Sequence, residues 1–155
     1  MAGSLYLEET TLEYILQKKT PAAITKVYLG LSSYTAAELT KKIKGKEFGE
    51  HEPTSGNGWA RVEVSGSEKP GWTVTKSETE KGFTIFENKN AIKTGTEAFE
   101  FKKVTGGEVT CRTFGIFDAS TEGNALAFGT LEVPVLVTSA VTLELAAKAL
   151  KFECE

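Results

Sequence analysis

The chain is short of the residues from which reactive sites are usually built. Among its 155 residues are one histidine, His51, one aspartate, Asp118, two arginines, Arg61 and Arg112, and two cysteines, Cys111 and Cys154. A nucleophilic triad needs a base, most often histidine, oriented by a third group. His51 stands between Glu50 and Glu52 in a polar, glycine-bearing stretch, which suits a solvated loop residue better than a general base. Zinc needs several cysteine or histidine ligands, and the two cysteines are far apart, with no C-x-x-C spacing. The scarcity of arginine and a net charge of −3 exclude nucleic acid as an expected partner, since phosphates and base edges are read largely by planar guanidinium groups. Lys41, Lys42, Lys44 and Lys46 form the one basic cluster. It reads as a solvated surface segment, with contact to phosphate as the alternative. No apolar run approaches the roughly 18 residues that cross a membrane, so no membrane partner is expected. The start of the chain shows no basic stretch followed by an apolar core, so no secretory signal is expected either.

The remaining candidates for chemistry are weak. Cys111 and Cys154 fall in strand-like segments and read as small buried hydrophobes; a disulfide is the second reading and a reactive thiol the third. Residues 118–124, from Asp118 to Asn124, hold oxygen donors of the kind calcium uses, but without the EF-hand pattern. A turn closed by the side chains of Asp118 and Asn124 explains them as well. Gly56-Asn57-Gly58 precedes a strand rather than a helix, so no helix N-terminus stands behind it to hold a phosphate. With 20 glutamates, nothing singles out the pair of carboxylates that glycoside hydrolysis requires. No catalytic, cofactor-binding or metal-binding residue is assigned, no cofactor is implied, and the chain reads as a non-enzyme.

What the sequence does contain is a globular core. Hydrophobic residues make up 40% and charged residues 25%, which excludes a wholly disordered chain. The length suits one domain spanning 1–155. An N-terminal helix is expected at about 4–18. Leu5, Leu12, Ile15 and Leu16 recur at helical spacing, Ser4 can cap the start, and Thr20-Pro21 ends it. The simplest fate of that leucine stripe is packing on the chain's own sheet; the alternative is a docking surface.

A β core is expected over about 24–155. Ile24 to Leu31 alternates as a strand. Thr35 to Lys44 reads as a short helix, because Thr35 and Glu38 have capping-box spacing, and Lys44 to Gly58 as a long loop. From Trp59 the period is two, with Ala60, Val62 and Val64 on one face and Trp59, Arg61 and Glu63 on the other. Further strands are expected at 72–76, 82–87, 97–104, 109–117, 125–131, 141–145 and 150–154. Thr105-Gly106-Gly107 reads as a hairpin turn between two of them. Many short strands with regular turns indicate a mainly β fold, an antiparallel sandwich or jelly-roll-like domain. The strand aromatics are expected in the core. Trp72, flanked by Pro70 and Gly71, is the one expected to offer an exposed aromatic contact.

Three separated stretches carry a family resemblance. The first is the initial helix followed by Tyr28-Leu29-Gly30-Leu31. The second is Ser55-Gly56-Asn57-Gly58-Trp59-Ala60-Arg61. The third is Phe114-Gly115-Ile116-Phe117-Asp118-Ala119, followed by Gly123-Asn124-Ala125-Leu126-Ala127-Phe128-Gly129. In this order they resemble small structural proteins of tailed-bacteriophage particles, often labelled tail-fibre proteins. Trp59 stands where tyrosine is more usual, and the lysine-rich stretch before Gly49 is longer than the family pattern. The motifs also have physical sense of their own. Gly115 and Gly129 inside strands indicate close backbone approach, with Phe114, Ile116 and Phe128 packed around them, and each arginine can lock neighbouring strands through a carboxylate. Arg61, Phe114, Gly115, Phe117, Asp118 and Gly129 therefore define architecture before they define a binding site.

The resemblance implies a virion protein that acts by being bound. It would be a decoration or cementing protein on the capsid, or part of the tail fibre. Its partners would be the major capsid or tail proteins and further copies of itself, in a homo-oligomer with three-fold symmetry favoured. The alternative is a receptor- or carbohydrate-binding module on the virion surface, with Trp72 at its site.

Overall fold

The computed structural model describes residues 2–53, 58–65, 72–76, 84–88, 92–95, 101–147, 149 and 151–154; at 2, 72–76, 84–88, 93–95 and 151–154 it describes the backbone alone. In chain order the elements are β1 (Ala2–Gly3), α1 (Leu5–Gln17), β2 (Tyr28–Ser32), α2 (Gly45–Gly49), β3 (Val62–Glu63), β4 (Trp72–Lys76), β5 (Thr84–Asn88), β6 (Ile92–Gly95), β7 (Phe101–Lys102), β8 (Glu108–Phe117), β9 (Ala125–Thr138), β10 (Glu144–Leu145) and β11 (Lys151–Cys154). The fold is mainly β with one longer helix at its N-terminal end.

Local rules account for α1. The Ser4 hydroxyl accepts a hydrogen bond from Leu7 N at 3.2 Å, satisfying one of the orphan donors of the first turn. Glu8 lies in that turn, at the positive end of the helix dipole. Lys18 closes the helix in the left-handed region, at φ 54°, so the helix stops two residues before the expected Thr20-Pro21 break.

The main sheet is antiparallel, in the order β1-β9-β8-β2-β3. Its centre is the β2–β8–β9 register, which sets Leu29 opposite Ile116, Gly30 opposite Gly115 and Leu31 opposite Phe114. Across β8 and β9, Gly115 faces Phe128 and Phe114 faces Gly129. Alternation sends the side chains to two faces. On one, Leu29, Leu31, Phe114 and Ile116 join a buried cluster with Ile92, Phe101 and Leu145 from outside the sheet. On the other, Phe117 and Phe128 pack with Phe48 of α2 and with Ile43.

Two smaller sheets, β10-β6-β7 and β11-β5-β4, complete the strand pairing. The β6–β7 pair is parallel, a departure from the all-antiparallel expectation.

Several expectations are corrected. The strand expected from Ile24 begins only at Tyr28. Its partner β3 is two residues long, and just before Tyr28 one bond remains, from Val64 N to Val27 O at 2.7 Å. The expected helix at 35–44 is a set of turns. Thr35 and Glu38 do join, through the backbone N–H and the hydroxyl of Thr35. The helix forms instead at Gly45–Gly49, inside the expected loop, where the Lys44 N–H bonds the Glu47 carboxylate and Phe48 is fully buried. Burial of one aromatic outweighs two glycines of poor helix propensity. Residues 59–64 do not show clean alternation, because Trp59, Arg61, Val62 and Val64 are all buried. The expected strand at 97–104 is represented in the described residues by Phe101–Lys102 alone. Gly107 has a positive φ, 81°, but the turn at 105–107 leads between sheets rather than closing a hairpin, because β7 pairs with β6 and β8 with β2 and β9. Finally, β9 runs past the expected end at Leu131 to Thr138.

Candidate functional site

Gly30 and Gly115, adjacent across β2 and β8, leave a hollow in the sheet where two side chains are missing. The hollow is filled from above. A Cβ on Gly30 would collide with Glu52 Oε1, and one on Gly115 would lie 2.6 Å from the Phe117 ring. Arg61 reaches into the same place from the segment before β3. Its Nε donates to Glu52 Oε2 at 2.9 Å. Nη2 donates to Gly45 O at 2.8 Å and Nη1 to Glu122 O at 2.8 Å, with a longer contact to Ala119 O at 3.4 Å. The guanidinium lies 3.6 Å from the centre of the Phe117 ring, a cation–π geometry. The Arg61 and Glu52 side chains are only 2% and 8% exposed.

Burial dominates the electrostatics of this pair. It pushes the Glu52 carboxyl above its ordinary value, while Arg61 and the indole N–H of Trp59 pull the other way. Burial likewise lowers Arg61, against the pull of Glu52. Arg61 stays cationic all the same, since a guanidinium does not lose its proton in a protein. Glu52 Oε1 and Trp59 Nε1 are both buried without a hydrogen bond of normal geometry.

The loop 118–124 is built to present its carbonyls to Arg61. Asp118 Oδ1 accepts from Asn124 N at 2.7 Å and Oδ2 from Asn124 Nδ2 at 2.8 Å, while Asp118 N donates to Asn124 O at 3.2 Å. Glu122 and Gly123 take positive φ, 49° and 69°. Gly45 is placed so close to Glu122 O that a Cβ there would overlap it. Among the described residues no group of three acidic, histidine or cysteine side chains is disposed to hold a metal.

A cleft of about 380 Å³ opens beside the pair, lined in part by Lys46, Glu50, Trp59, Arg61 and Thr121. Arg61 spends its donors on Glu52 and three backbone carbonyls, which leaves no fork for an anionic ligand. The chemistry of the place is cohesive: one cation ties α2, β2, β8 and the loop 118–124 together.

The other residues singled out from sequence fall elsewhere. Phe114 packs in the cluster on the opposite face, where its ring excludes a side chain at Gly129, 2.5 Å from a Cβ there. Leu5, Leu12, Ile15 and Leu16 do not pack on the sheet as their simplest reading expects. They are 38%, 55%, 61% and 75% exposed, and α1 has no buried residue. Trp72 lies in β4, but its side chain is outside the described residues, as is that of Cys154, so the expected aromatic contact has no described surface to rest on. Cys111 is a buried free thiol; burial, with the Glu52 charge adding to it, pushes its pKa up to about 12. His51 is exposed and stacks on Tyr34 at 3.9 Å. Arg112 is exposed and donates to Thr110 O at 3.3 Å; among the described residues it has no ion pair.

Sequence reasoning missed Glu52, Gly45 and Phe48. Glu52 was one glutamate among 20, in a segment without periodicity. The available signal was the pairing of a central-strand glycine, Gly30, with an arginine in a strand-like segment: a missing side chain on a sheet needs a filler.

A family model described as podophage GP4 fiber I protein gp80 matches the chain over residues 2–153. No curated protein matches it.

Proposed function

We propose that this chain, which belongs to the podophage GP4 fiber I protein gp80 family, is a non-enzymatic structural part of the phage tail fibre that attaches through α1. The family is one of phage fibre proteins, so the chain is a virion component, and no helix among the described residues is long and apolar enough to cross a membrane. The tail is preferred over a capsid-decorating position because the family carries a fibre description. The reading takes residues 1–155 as one β-rich unit that works by being bound, by other virion proteins and by copies of itself.

The observation that carries the attachment role is the apolar surface of α1. Six of the ten exposed large hydrophobics among the described residues, Leu5, Leu7, Leu12, Tyr14, Ile15 and Leu16, lie on this one helix. Such a concentration on a soluble surface marks an interaction site. The buried polar centre at Arg61 supports the same reading from the other side, since its groups are consumed by holding the scaffold.

The test is location. Gold-labelled antibody on purified particles should mark the tail; labelling over the capsid would refute the tail assignment, and absence from particles would end the virion reading. Complementation with a Leu12→Glu, Ile15→Glu, Leu16→Glu chain should give particles lacking the protein, and normal incorporation would refute the role of α1.

A further inference from the structure

We draw no further inference here: the strongest candidate, the cleft of about 380 Å³ beside Arg61 and Glu52, belongs to the site already described, since Glu52 Oε1, buried without a hydrogen bond, lies against Gly30 in the sheet and the indole N–H of Trp59 is directed at the Glu52 carboxylate, so that neither is offered to a ligand in the opening.

Discussion

Replacing Arg61 with alanine should be among the most destabilising single changes on the described surface of the sheet. The substitution strands the Glu52 carboxylate, whose side chain is 8% exposed, with no cation at 2.9 Å. It also takes the donors from Gly45 O and Glu122 O, both at 2.8 Å, and the cation from the face of Phe117. Against this stands relief from keeping a guanidinium out of water. Breaking a buried ion pair from one side costs about 3–5 kcal/mol. For a domain of this size each kcal/mol lowers the melting temperature by roughly 2–4 °C, so the midpoint should fall by roughly 6–20 °C. Arg61→Lys should recover only a minor part, because an ammonium cannot fork between Glu52 and three carbonyls. Arg112→Ala is the internal comparison: an exposed arginine with one long contact should change stability by no more than about 0.5 kcal/mol. Urea unfolding followed by circular dichroism, with slopes compared to ensure that the same transition is measured, gives both numbers. An Arg61→Ala chain within about 1 kcal/mol of wild type would refute the reasoning, since that loss is no more than one ordinary hydrogen bond.

Other consequences can be checked with the same protein. Because burial raises the Glu52 carboxyl above its unfolded value, its favourable contribution is complete at low pH and is lost as pH rises through the native pKa. Wild type should therefore lose stability relative to Glu52→Gln between pH 4 and pH 7, and a constant difference would show that Arg61 cancels the burial cost. Gly45→Ala, whose Cβ would overlap Glu122 O, should cost about 1–3 kcal/mol by overpacking. Gly49→Ala, with nearest neighbours at 3.6 and 3.7 Å, should be neutral or stabilising by about 0.5–1 kcal/mol, as Ala replaces Gly in a helix. Thermal unfolding of the two variants reads the contrast. Cys111, with its thiol pushed up to about 12, should resist alkylation at pH 8 in the folded chain and react on unfolding. Peptide mapping by mass spectrometry would show this; labelling as fast as in the unfolded chain would contradict its burial.

The sheet was legible where local pattern and tertiary context agree. The apolar, β-prone stretch at 109–117 and the Ser4 cap of α1 needed no partner to be recognised. The Gly30–Gly115 hollow was visible only in halves, because each glycine gains meaning from its cross-strand neighbour. The helix α2 was illegible for the same reason: Gly45-Lys46-Glu47-Phe48-Gly49 has no helical periodicity, and what makes it helical is the slot for Phe48 between Phe117 and Phe128. The α1 stripe misled in the opposite direction. Helical spacing of Leu5, Leu12, Ile15 and Leu16 says which side is apolar, not which surface covers it.

The main sheet terminates in two-residue strands on both flanks, β1 and β3. Along β9, β1 covers only Ala127 and Phe128. Farther along, the β8–β9 register jumps: Thr113 faces Thr130 and Cys111 faces Val135, so four residues of β9 stand against Arg112 alone. That excursion ends in Pro134, which has no N–H to offer. A row of free backbone donors and acceptors is a template for strand addition, and bulges, prolines and very short flanking strands are how proteins spoil it. In a virion protein this guards against runaway fibrillation through backbone pairing. Contacts with a neighbouring protein are thereby left to side chains, whose identities, unlike those of amides, can be selected to admit one neighbour and refuse another.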